Sequence, residues 1–278
     1  MRTVKMAVLA LVASWAIGCI SIDSVIKVKP DGSGTMEQTM LINSSSMSMM
    51  SMMGGGENKD AKPNLDPATI FSKEKLTAEA ANLGEGVTFV SSEPAAQGEM
   101  KGVKAVYAFT DFNKLRVSTA LPDMEEGGTK VSGKGEALPI RFTRSGGSSM
   151  LTMNLLEELA KADAKSAAKG EGKADDKTEK PEMPKEMMAM LAPMFKDMRV
   201  AIAVEPVGTL VRTNATHVQG KRVTLFDVAF GELLADPAGL EKMEKLGNNP
   251  SLTEVKAALK GMKGIKINDV DKLEIEFK

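Results

Sequence analysis

Sulfur supplies most of the side chains in this chain that could do chemistry. Cys19 is the only cysteine among 278 residues. With no second cysteine it cannot close an intramolecular disulfide, so its thiol is available for modification instead. Met47, Met49, Met50, Met52 and Met53 crowd into one short stretch, "MSMMSMM". Thioether sulfur is a soft ligand suited to Cu(I), but it is equally a flexible apolar filler for packing on a domain or a membrane. Met183, Met187, Met190, Met194 and Met198 recur every three or four residues, which puts them on one face of a helix. Such a stripe reads as plain core or as an adaptable apolar binding surface. His217 is the only histidine, and without a cysteine partner it cannot build a common zinc site. It also has no Gly-x-Ser-x-Gly elbow to serve as base. Asp31-Gly32-Ser33-Gly34 is too poor in acids for a calcium loop, and Gly54-Gly55-Gly56 lacks the Lys-Ser/Thr of a phosphate loop. No enzyme and no cofactor are therefore expected.

The position of Cys19 is set by what precedes it. Arg2 and Lys5 open the chain, an apolar run follows from Met6 to Ile17, and Gly18 leads to the cysteine. A basic start, a short apolar segment and a small-residue exit describe a secretory signal peptide over residues 1–18, too short to span a bilayer comfortably. Ala16-Ile17-Gly18-Cys19 resembles the lipobox of bacterial lipoproteins, with Ala at position 16 where Leu is commoner. The resemblance implies that Cys19 becomes the acylated first residue of the mature chain. An ordinary secretory cleavage fits the same residues, but it leaves an unpaired thiol in an oxidising compartment. Residue 20 is Ile rather than the Asp that marks inner-membrane retention, so the expected location is the cell envelope, lipid-anchored in the outer membrane and facing the periplasm.

The formal net charge is −1, and removing Arg2 and Lys5 with the signal makes the mature chain more acidic. That balance argues against a nucleic-acid partner, which would call for a basic face. Hydrophobic residues make up 42% of the chain, enough for a core, whereas aromatics make up 4% and the single Trp15 falls in the signal. Few rings remain to stack on sugars, which argues against a carbohydrate-binding module.

Between these residues the chain alternates as strands do. Ser24 to Lys29 and Thr35 to Ile42 flank the turn cluster Pro30-Asp31-Gly32-Ser33-Gly34, predicting a hairpin. Asp66-Pro67 predicts a helix start, with the helix running to about Leu83. Gly86 to Val90 and Val103 to Phe112 read as strands, and Glu136 to Thr143 and Ser149 to Leu155 as a hairpin around Gly146-Gly147. Residues 161–181, "KADAKSAAKGEGKADDKTEKP", hold no large apolar side chain and read as a solvated linker. A helix from Pro184 to Asp197 follows, then strands over Arg199 to Pro206, Thr209 to Asn214 and Lys221 to Phe230, the last two joined near Gln219-Gly220. Helices are expected after Asp236-Pro237 and Pro250-Ser251, and a final strand over Leu273 to Phe277.

"VIKVKPDGSGTMEQTMLI" after the lipobox-like exit, together with "EPVGTLVRTNATHVQGKRVTLFDV", resembles two hairpins of LppM-type bacterial envelope lipoproteins. The resemblance implies an envelope lipoprotein without established enzymatic activity, contacting lipids or other envelope components. The expected architecture is α+β, an antiparallel sheet of hairpins with packed helices and flexible Met-rich and Lys/Glu-rich insertions. Residues 19–160 would form the strand-rich N-terminal part of the domain and 182–278 its C-terminal α+β part. The expected function is non-enzymatic binding of a lipid or protein partner at a membrane. A periplasmic copper carrier using Met47 to Met53 is the alternative.

Overall fold

The computed structural model describes residues 20–43, 66–117, 124–126, 129–131, 138–154, 195–245 and 259–278. Cys19, the Met47–Met53 cluster, Met183, Met187, Met190, Met194 and the 161–181 linker lie outside them.

Strands β1 (Ile20–Val28) and β2 (Gly34–Ile42) form the expected hairpin, in register from Ile20 opposite Ile42 to Val28 opposite Gly34. Its turn closes because the Asp31 carboxylate accepts from the Ser33 backbone N–H at 2.9 Å and hydroxyl at 2.7 Å. Gly32 sits at φ 87°, and a Cβ there would lie 2.7 Å from the Phe142 ring, so both conformation and packing require glycine. Where one helix was expected from Pro67 to Leu83 there are two, α1 (Pro67–Ile70) and α2 (Lys73–Asn82). Asp66 caps the first by accepting from Ala68 N–H. Phe71 then turns into the core, and Ser72, in an extended conformation, caps the second by accepting from Lys75 N–H. Two N-caps six residues apart therefore divide one apolar pattern.

Strands β3 (Thr88–Gln97) and β4 (Met100–Phe109) pair next, followed by the short pair β5 (Met124–Glu126) and β6 (Thr129–Val131). The hairpin β7 (Ile140–Ser145) and β8 (Ser148–Met153) turns at Gly146-Gly147 as its sequence requires. The C-terminal half contributes β9 (Arg199–Pro206), β10 (Leu210–Thr213), β11 (Val218–Gln219), β12 (Arg222–Ala229), α3 (Phe230–Leu234), α4 (Pro237–Lys245), β13 (Ile265–Ile267) and β14 (Leu273–Phe277).

These strands build a large sheet in the order β11-β12-β9-β1-β2-β4-β3, with β13 also on β12, and a smaller sheet in the order β10-β14-β8-β7. Three expectations change. The large sheet is mixed, because β1 and β9 run parallel from Ser21 opposite Arg199 to Val28 opposite Pro206. A parallel neighbour needs a long crossover, and the chain between β2 and β9 provides one. The strands over Thr209 to Asn214 and Lys221 to Phe230 are not partners: β10 joins β14 in the smaller sheet, and the Gly220 turn joins β12 to β11. Among the described residues the helices are few and short, so the sheet dominates and α+β fits only loosely.

One core lies between the two sheets. Ile22, Ile26 and Val28 of β1, Met36 and Met40 of β2, and Ile202 and Val204 of β9 face Leu151, Met153, Ile275 and Phe277 of the smaller sheet, with Leu76 and Ala80 of α2 closing one side. Each fully buried side chain of this kind contributes about 1.5–3 kcal/mol by leaving water. Met198, the one described member of the Met stripe, is 2% exposed and packs with Val200, Val228, Phe230, Leu233 and Met262 in a second cluster. At that position the stripe is core.

The core contains two polar atoms without a hydrogen-bond partner among the described residues, the Tyr107 hydroxyl and Gln38 Oε1. Tyr107 is fully buried, and burial pushes its ionisation far above the usual phenol range, with Glu79 adding to the shift. A buried hydroxyl with nothing to bond costs stability. Tyr107→Phe is expected to leave urea-unfolding stability unchanged or raise it by about 1 kcal/mol. A loss of that size would show that the hydroxyl has a bonded partner.

Candidate functional site

Side chains alternate along β1, so Ile22, Ser24, Ile26 and Val28 enter the core while Ser21, Asp23, Val25 and Lys27 occupy the outer face. The register carries that face to Arg199, Ala201 and Ala203 on β9, then to Asp227 and Ala229 on β12, and finally to Lys266 on β13, which lies opposite Asp227. Three strands that are distant in sequence thus bring Arg199, Asp227 and Lys266 together.

Asp227 is only 4% exposed. Its carboxylate accepts from Arg199 Nε at 2.8 Å and Nη2 at 2.9 Å, and from Lys266 Nζ at 3.0 Å. Burial pushes the Asp227 carboxyl up, but the bonds from Arg199 and Lys266 outweigh it and hold the group below the usual carboxylate range. The same contact raises the Arg199 guanidinium above its ordinary value. Both cations keep about half of their side chains in solvent, so they retain donors that Asp227 does not use. Nearby, Arg222 donates to Asp23 at 2.9 Å, bridging β12 to β1 across β9, where the small Ala201 and Ala203 leave room between them.

The triad forms one wall of a cleft of about 530 Å³ at the end of the large sheet where β1 and β9 begin and β12 ends. Ser21, Lys196, Glu232 and Met100 also line it. Its volume falls within the range of small-molecule sites. Among the described residues the lining sets Lys196, Arg199 and Lys266 against Asp197, Asp227 and Glu232, which suits binding a charged group. Among the described residues no group of three or more His, Cys, Asp or Glu is placed to hold a metal ion.

His217 lies elsewhere, beside Thr224, where its carbonyl accepts from Thr224 N–H at 3.0 Å and its own N–H points to Asn268 Oδ1 at 3.4 Å. These are backbone bonds that fix a turn. A second charged row, with Lys27 and Lys104 both on Glu37, crosses β1, β2 and β4 on the outer face. It is half-exposed and worth little to stability. None of the cleft's charged residues stood out in the sequence. The available signal was Asp227 itself, a single acid inside the apolar strand "VTLFDVAF", which must find a cation if it is buried.

No family model and no curated protein matches this chain. Among solved structures, the NMR structure of the folded domain of Mycobacterium tuberculosis LppM aligns over 94% of this chain and 90% of that one, at 10% identity and a TM-score of 0.31. LppM-type lipoproteins are also what the two hairpin stretches resemble. At that score the likeness carries no argument about fold, site or ligand. Among the described residues no helix is long and apolar enough to cross a membrane.

Proposed function

We propose that this chain is a bacterial envelope lipoprotein, anchored through Cys19 to the periplasmic face of the outer membrane, whose domain binds a lipid or protein component without catalysing a reaction. The observation that carries the reading is the join between anchor and fold. The lone cysteine follows a lipobox-like exit, and the next residue, Ile20, already belongs to β1 and is 2% exposed in the core. An acyl group on Cys19 would hold the domain against the bilayer with no intervening tether. Each buried methylene contributes about 0.8 kcal/mol, so two or three chains anchor firmly. Radiolabelled palmitate is expected to enter the wild type and not Cys19→Ala, with the variant released from membranes. Equal labelling of the two proteins would reject the anchor.

A further inference from the structure

We infer that the cleft at the start of β1 binds a phosphodiester carrying a primary ammonium, the chemistry of a phosphoethanolamine headgroup. Position is the first argument, and it rests on the anchor reading. Ser21 lines the cleft two residues after Cys19. Two extended residues span about 7 Å. The polar layer on each side of a bilayer's hydrocarbon core is of similar thickness, about 5–8 Å. An acylated Cys19 would therefore keep Ser21 within reach of the headgroup layer.

The second argument is chemical and independent of the anchor. Arg199, Lys266 and the buried Asp227 together carry one net positive charge, and the spare donors of both cations remain in solvent. Lys196 and Asp197 add one charge of each sign, and Lys196 has no ion-pair partner among the described residues. The cations suit a phosphate oxyanion. Glu232 is exposed on α3 and acts on Arg199 through space, with no ion-pair partner among the described residues. With Asp197 it offers a carboxylate to an ammonium group beside the cations. A purely anionic headgroup would leave Glu232 unmatched. A quaternary ammonium has no N–H to donate and is commonly held by aromatic faces, and among the described residues no aromatic lines the cleft. The charge pattern therefore selects ethanolamine over both glycerol and choline.

The test uses the full-length protein in a phosphate-free detergent, titrated calorimetrically with soluble glycerophosphoethanolamine, glycerophosphocholine, glycerophosphoglycerol and inorganic phosphate. Glycerophosphoethanolamine is expected to bind about tenfold or more tightly than the others, the margin of one charge-assisted hydrogen bond. Lys266→Gln leaves Asp227 paired with Arg199 and should weaken binding by a similar factor. Glu232→Gln, an exposed change that leaves the fold intact, should remove the preference for ethanolamine while phosphate recognition persists. Vesicles containing phosphatidylethanolamine should compete with the soluble headgroup, and pure phosphatidylcholine vesicles should not. Absence of binding, equal affinity for all four probes, or an ethanolamine preference that survives Glu232→Gln would overturn the inference. Binding of the soluble headgroup without competition from vesicles would overturn its lipid source. Palmitate on Cys19 with no headgroup binding would reject this inference alone, and headgroup binding without palmitate would support it while rejecting the anchor.

Discussion

Gly102→Ala is expected to destabilise the domain by about 3 kcal/mol or more, although it adds a single methyl group. A Cβ on Gly102 would lie 1.9 Å from the Met40 carbonyl oxygen and 3.0 Å from the Leu41 Cα. Both atoms are backbone, so no rotamer change relieves the contact. Gly102 pairs with Leu41 on one side and Ala95 on the other, and moving β4 away from β2 would disrupt both ladders. Urea unfolding measures the loss. A midpoint equal to that of the wild type would mean that β2 and β4 can separate freely at this point.

Phe277→Ala should cost about 3–5 kcal/mol, a large share of the 5–15 kcal/mol that holds a typical domain together. Phe277 is fully buried, and its ring lies 6.4 Å from that of Phe142. It sits on β14, the strand between β10 and β8, so the cavity would open where the smaller sheet meets the larger one. Phe277→Leu keeps most of the volume and should cost clearly less. Similar losses for the two variants would show that the site collapses around the smaller side chain.

What the sequence made legible was local. The β1–β2 hairpin follows from alternation and a turn cluster within one stretch, and the β7–β8 hairpin from its two adjacent glycines. Strands β9 and β14 appear almost residue for residue, because apolar runs bounded by Pro206 and by Asp271-Lys272 leave little choice. The pairing of β1 with β9 has no local signature, since parallel neighbours share no turn. The outer half of β3 was missed for a related reason. It is an edge strand exposed on both faces, so Ser91-Ser92-Glu93-Pro94 shows no apolar alternation. The candidate site is the extreme case. Arg199, Asp227 and Lys266 are separated by 28 and 39 positions, and only the register of a mixed sheet makes them neighbours.

The parallel partner of β1 also fixes an order of events as the chain is made. The first hairpin can close as soon as residue 42 is available, but the other edge of β1 stays unpaired until β9 has been synthesised, more than 150 residues later. During that interval a nascent chain presents Ile22, Ile26 and Val28 beside a bare row of backbone donors and acceptors, the template on which strands of other molecules add. Contacts of such long sequence separation also form slowly. A chain truncated before residue 199 is therefore expected to aggregate rather than fold as a smaller domain, which light scattering of the refolded fragment would check.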